Sequence, residues 1–141
     1  MRYVLDASVG LCWVLSRPLS PKALRLRNDF QKSIHELIAP AHFQGEIASG
    51  LTKAERQKLI PVGDARRLIA DVLSTQPILY SLDPLFYRAV EISSQTRTGF
   101  YDCLYVALAE QENRDLVTAD DKLFNTLQSR FPFIISLASL P

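Results

Sequence analysis

The chain has 141 residues, of which 48% are hydrophobic and 9% aromatic, and it carries a net charge of +1. That length fits one domain with a proper core, and the composition is that of an ordinary globular protein. No apolar run is long enough to cross a bilayer, which excludes a helical membrane span. The net charge hides an asymmetry: residues 1–67 hold 11 Lys/Arg against 6 Asp/Glu, and residues 68–141 hold 5 against 9. A basic half beside an acidic half suits a polyanion held next to a cation-binding pocket.

The opening MRYVLDASV lacks a long apolar stretch and a small-residue cleavage site, so it reads as a strand, Arg2–Leu5, rather than a signal peptide. Ala7–Leu15 is compact and apolar, a short helix. Pro18 and Pro21 break the chain, and Lys22–His35 shows helical spacing at Leu24, Leu26, Phe30 and Ile34. Glu36–Ala39 is a brief strand closed by Pro40. His42–Lys58, with Phe43, Ile47, Leu51 and Ala54 on one face, pairs with Val62–Ser74 as a helical hairpin broken at Pro61–Gly63. Ile78–Ser81 is a strand. Asp83-Pro84 then reads as a helix start, with Asp as N-cap and Pro at the first helical position. That helix runs to about Ser94, and Thr98-Gly99 makes a turn. Tyr101–Glu112 is apolar almost all round and is expected to be buried. A strand at Leu116–Thr118, a helix at Lys122–Arg130 and a strand at Phe133–Ser136 complete the chain. Alternating strands and helices predict an α/β domain with a mostly parallel sheet, whose sites lie outside the carboxyl ends of the strands. Cys12 and Cys103 lie in apolar segments and read as two buried free thiols, in keeping with a reducing cytosol.

Four acids stand where such a site would form. Asp6 ends the first strand, and Asp120 follows the strand LVT. Glu46 and Asp102 lie near the starts of two helices. Each has a plainer reading: Asp6, Asp102 and Asp120 as helix caps, and Glu46 as a surface residue paired with His42 four residues earlier. Together they form an all-oxygen donor set, which suits Mg²⁺ or Mn²⁺ better than Zn²⁺, since Cys and His do not cluster at ligand spacing. Ser8 and Thr118 are placed to orient a carboxylate or a bound water. Gly45, Ala48, Ser49 and Gly50 leave room beside Glu46, for a cleft wall or close backbone packing. Asp83 is set aside as a cap. Neither a G-x-x-x-x-G-K-[ST] loop nor a G-x-G-x-x-G loop is present.

The segments YVLDASV, IAPAHFQGEIASGL, FYDCLYVALAE and LVTADDKL together resemble the PIN-domain family, and within it the VapC-type toxins of toxin–antitoxin pairs. The likeness spans nearly the whole chain, residues 1–141, as one PIN domain. It implies a three-layer α/β/α sandwich and a Mg²⁺- or Mn²⁺-dependent endoribonuclease acting on single-stranded RNA. The family's acidic positions fall on Asp6, Glu46, Asp102 and Asp120, with Asp120 rather than Asp121 in the family's T-A-D. Ser49 is a departure, since many members carry Asn there. The resemblance also implies a cytoplasmic protein, a homodimer and a VapB-like antitoxin. That antitoxin would occupy the groove beside the helical hairpin, with the stretch Ile47–Leu51 as a candidate surface.

Rival readings are a non-catalytic PIN-like binding module, which would lose acids, and a metal-independent ribonuclease using His35 and His42 as acid and base. A phosphatase of the haloacid-dehalogenase type would need a second Asp two residues after Asp6, where Ser8 stands.

Overall fold

The computed structural model describes residues 1–141. Five strands form one sheet: β1 (Arg2–Leu5), β2 (Glu36–Pro40), β3 (Ile78–Tyr80), β4 (Asp115–Thr118) and β5 (Ile134–Ser136). The sheet is parallel throughout, in the order β3-β2-β1-β4-β5. Val4 registers with Ile38 on one side and Leu116 on the other. Continuous apolar runs such as YVL, LIA and LV are what a sheet covered on both faces requires. Val4, Leu5, Leu37, Ile38, Leu116 and Val117 are fully buried.

Seven helices connect the strands: α1 (Ala7–Cys12), α2 (Ser20–Gln31), α3 (Phe43–Arg56), α4 (Asp64–Ser74), α5 (Phe86–Thr96), α6 (Phe100–Glu112) and α7 (Asp121–Leu127). The strand order runs one way from β1 through β2 to β3, and the other way from β4 to β5. Right-handed crossovers in opposite directions put α1–α4 on one face and α5–α7 on the other, a three-layer α/β/α sandwich. The reversal lies between β1 and β4, so the crevice of the fold opens above their carboxyl ends.

Several boundaries differ from the sequence expectation. Pro21 does not break the chain. It occupies the first turn of α2, which starts at Ser20, where a missing N–H is not needed. That helix ends at Gln31 rather than His35, because Ser33 adopts φ 60° and turns the chain into β2, which leaves Ile34 exposed. α1 stops at Cys12, and α7 at Leu127. Asp83 is not a cap. It opens a one-turn 3₁₀ segment, Asp83–Leu85, its side chain lies in solvent, and the preceding Leu82 supplies no capping bond.

Helices α1 and α3 pack at close range. A methyl group added at Gly50 would stand 2.6 Å from Leu11 Cδ1, and one at Gly10 would stand 2.8 Å from Ile47 Cδ1 and 2.9 Å from Phe43 Cζ. Glycine at these two positions lets the helix that starts at Asp6 lie against the helix that carries Glu46. Ile47 and Leu51 are fully buried in this packing. Those two side chains belong to the core, while Ala48 and Ser49 between them are exposed and are what the stretch Ile47–Leu51 leaves open to a partner. Cys12 and Cys103 are buried and unbridged.

Candidate active site

All four acids line one open cleft of about 390 Å³, with Ser8, Arg17, Ser49, Gly50, Lys53 and Tyr105 also in its wall. The cleft lies at the strand-order reversal. Asp6 follows β1, Asp120 follows β4, and the two helical layers contribute Glu46 from α3 and Asp102 from α6.

Asp6 is 5% exposed and caps α1 by accepting from Ser8 N at 3.1 Å. Ser8 Oγ also donates to its Oδ1, and Thr118 Oγ1 donates to its Oδ2 at 2.6 Å. Burial pushes the Asp6 carboxyl up to about 7; the Ser8 and Thr118 hydrogen bonds pull against that shift, and the Asp120 charge adds to it. Ser8 and Thr118 thus orient the carboxylate, as their positions in the sequence suggest. Thr118 also accepts from Asp120 N at 3.0 Å, so it ties the two strand-end acids together.

Asp120 caps α7 through Oδ1, which accepts from Lys122 N at 2.9 Å and Leu123 N at 3.2 Å. Its neighbour Asp121 begins α7, is exposed, and does not line the cleft. Cap and cleft-lining residue are therefore the same side chain at Asp6 and Asp120. Asp102 sits in the first turn of α6 and makes no capping bond. Burial raises its pKa, as do the charges of Glu46 and Asp120, with His42 and Lys122 opposing.

Glu46 Oε1 accepts from the Tyr105 hydroxyl at 2.8 Å and lies 3.5 Å from His42 Nε2, so the expected i, i+4 neighbour is present. Burial raises the Glu46 pKa against the Tyr105 hydrogen bond. His42 Nε2 also meets Tyr101 O at 2.9 Å, and burial lowers the His42 pKa.

No three His, Cys, Asp or Glu side chains are gathered tightly enough to form a ready-made ligand shell. The four carboxylates converge on one cleft, not on one point. Such a set fits a small hard cation that keeps several waters and takes one or two carboxylates directly, together with substrate phosphates. Burial raises Asp6 and Asp102, the neighbouring carboxylates add to it, and a cation there would offset both. His35 and His42, at opposite ends of β2, do not share a site; His35 pairs with Asp29 at 3.3 Å instead.

The PIN-domain family model matches residues 3–127. The chain belongs to the PIN-domain family. Ribonuclease VapC9 of Mycobacterium tuberculosis is 31% identical over 132 residues, covering 94% of this chain and 96% of that protein. Ribonuclease VapC12 of the same organism is 32% identical over 121 residues, covering 85% and 88%. Among solved structures, PAE2754 from Pyrobaculum aerophilum superposes with a TM-score of 0.71 at 20% identity, over 99% of this chain and 94% of that one. VapBC2 from Rickettsia felis, bound to a promoter DNA fragment, gives 0.65 at 16% identity over 96% and 97%. Both support the PIN fold.

In this PIN domain, two cleft residues, Tyr105 and Arg17, escaped the sequence reading, while Lys53 was legible there only as one of the basic residues of the N-terminal half. Tyr105 lies three residues after Asp102 on the same helix, and a buried Tyr hydroxyl needs a partner, which was a usable signal. Lys53 lies seven residues, two turns, after Glu46 and so shares its helix face. Arg17 lies in the α1–α2 connection, and nothing local marks it.

Proposed function

We propose that this PIN domain, residues 1–141, is a metal-dependent endoribonuclease that hydrolyses single-stranded RNA and serves as the toxin of a VapBC-type pair. The observation that carries this reading is the joining of Asp6, Glu46, Asp102 and Asp120 in one cleft at the strand-order reversal. The VapC ribonucleases similar over nearly the whole chain support it.

Asp6, Asp102, Asp120 and Glu46 would hold Mg²⁺ or Mn²⁺, directly or through water. The bound ion would lower the pKa of a water and offset charge on the phosphoryl oxygens. The protein's own part is to hold the carboxylates ready. Ser8 and Thr118 fix both oxygens of Asp6, and Tyr105 fixes Glu46. Asp120 keeps Oδ2 free of the cap made by Oδ1. Water attack in line with departure of the 3′ oxygen leaves 5′-phosphate and 3′-hydroxyl ends.

The VapB-like antitoxin is assigned to the groove between α3 and α4, about 330 Å³, lined by Ala48, Thr52, Ala65, Arg66 and Ile69. A second copy of the chain is assigned to the exposed apolar patch of Phe86, Tyr87 and Val90 on α5, with Tyr101 beside it. No helix is long and apolar enough to cross a membrane, and we place the protein in the cytoplasm.

RNA cleavage with end mapping, with and without Mg²⁺ or Mn²⁺, tests the activity. Metal-dependent cuts with 5′-phosphate ends are expected. Cyclic-phosphate ends that persist in EDTA would overturn the reading.

A further inference from the structure

The cleft is not acidic throughout. Arg17 and Lys53 line it together with the four carboxylates, and neither forms an ion pair within the protein, whereas Arg27, Arg67, Arg88 and Arg114 all do. Most of the chain's Lys and Arg are likewise unpaired, and what sets these two apart is that they line the cleft of the four acids.

Their placement follows from the helices. On α3, Phe43, Ile47, Leu51 and Ala54 make the buried face. The adjacent face reads Glu46, Ser49, Gly50 and Lys53, an i, i+3, i+4, i+7 stripe, and all four residues line the cleft. Lys53 thus lies about 10 Å of helix from Glu46, and only a hydroxymethyl and a glycine stand between. Leu11 packs against Gly50 at this part of the floor.

Arg17 comes from a loop that is tied down. Arg17 N donates to Ser20 Oγ at 3.0 Å, Ser20 N donates to Arg17 O at 3.0 Å, and Ser20 Oγ donates to Leu15 O at 2.8 Å. Pro18 restricts Arg17 to extended backbone. Trp13 Nε1 donates to Ala23 O at 3.0 Å and anchors α1 to α2 across the loop. The guanidinium also faces the buried Cys12 thiol, whose raised pKa it partly pulls back.

We infer that Arg17 and Lys53 bind an RNA phosphate flanking the scissile one, so that the strand lies along α3 over Ser49 and Gly50 with its cleaved bond at the carboxylates. A ligand that meets both the cations and the acids of this cleft is anionic toward Arg17 and Lys53 and reaches the carboxylates through a bound cation. A phosphodiester chain is such a ligand, and a planar guanidinium and a point-charge ammonium are both standard phosphate donors. The two residues position substrate and take no part in the bond change. This inference rests on the ribonuclease reading.

The test uses Arg17→Ala, Lys53→Ala and the double variant, with Lys53→Arg as conservative rescue and the exposed, remote Arg130→Ala as control. Cleavage of a single-stranded RNA oligonucleotide with Mg²⁺ gives KM and kcat. Binding of the same oligonucleotide, measured on an Asp6→Asn background across a salt series, counts phosphate contacts. Each Ala variant is expected to raise KM about tenfold with kcat nearly unchanged. The double variant is expected to flatten the slope of log affinity against log salt by about 0.7, the value for one phosphate neutralised on a single strand. Lys53→Arg recovers most of the loss, and Arg130→Ala changes neither quantity. An unmoved KM and slope in the double variant overturns the inference, as does a fall in kcat alone that tracks lost thermal stability. In both cases the wild type still cleaves and the nuclease reading stands. A wild type that cleaves no RNA with either metal overturns both.

Discussion

The Tyr105 hydroxyl donates to Glu46 Oε1 at 2.8 Å and so joins the two helical layers in the wall of the cleft. Tyr105 is 1% exposed and Glu46 is half-buried. The bond holds a carboxylate from α3 beside Asp102 of α6, whose charges repel.

Tyr105→Phe keeps the ring and removes the bond. Glu46 is then left with His42 at 3.5 Å as its only oriented neighbour. The expected result is a fall in kcat of about tenfold, the scale of one hydrogen bond to a charged group, with KM and thermal stability nearly unchanged. Steady-state kinetics beside a melting curve checks it. Wild-type kcat in the variant would remove Tyr105 from the site.

Asp6→Asn is expected to abolish cleavage and to stabilise the metal-free protein at neutral pH. Burial raises the folded-state pKa of Asp6 to about 7 from its ordinary value of 3.8. A raised carboxyl pKa means that the folded state binds a proton more tightly than the unfolded one. Its stabilisation is full below about 4 and is lost as pH rises through about 7. Metal-free wild type should therefore melt several degrees lower at pH 8 than at pH 5, while Asp6→Asn shows a much flatter profile. Mn²⁺ or Mg²⁺ should restore the wild type at pH 8 by binding the folded state, and should do little for the variant. Equal pH dependence in both proteins would show that Asp6 does not carry the effect.

The packing of α1 on α3 sets the distance between Asp6 and Glu46, and the two glycines test it. Gly50→Ala drives a methyl group into Leu11 and should cost about 1–3 kcal/mol, the usual range for overpacking. Combining it with Leu11→Ala frees the space, so the two changes should be non-additive. Urea unfolding of the two single variants and the pair measures the coupling. Additive losses would mean that Gly50 and Leu11 do not share the constraint.

Much of this arrangement is legible in the sequence, and the reasons are physical. The runs YVL, LIA and LVT declare buried parallel strands, and an acid just past such a strand must sit at the carboxyl edge of the sheet. That locates Asp6 and Asp120. The apolar character of α6 forces Asp102 inward. Long-range geometry is what the sequence hides. Tyr105 and Glu46 are 59 positions apart, and Arg17 reaches the cleft only because a loop folds back on Ser20. Local signals also mislead where two structures share one signature. Pro21 looks like a breaker and is a first-turn proline; Asp83-Pro84 looks like a cap and opens a 3₁₀ turn. The stretch Ile47–Leu51 reads equally as core or as partner surface until the helix is placed; the core then claims Ile47 and Leu51 and leaves Ala48 and Ser49 exposed.

Thr118 makes the last prediction, because one hydroxyl serves both strand-end acids. It donates to Asp6 Oδ2 at 2.6 Å and accepts from Asp120 N at 3.0 Å, and it is 1% exposed. Thr118→Val preserves shape and deletes both bonds. Asp6 loses one of the hydrogen bonds that hold its pKa down, so its carboxyl should bind its proton still more tightly. The acid limb of the pH–activity profile should therefore move to higher pH, because the ionised form is needed to bind a cation. The Asp120 N–H loses its partner in a half-buried position, which should cost about 1–2 kcal/mol of stability. Thr118→Ser returns both bonds and should restore the pH limb, even where its missing methyl group leaves some stability unrecovered. A pH–rate profile and urea melts of the three proteins decide the matter, and a Val variant that matches wild type in both would show that Thr118 is only a packing residue.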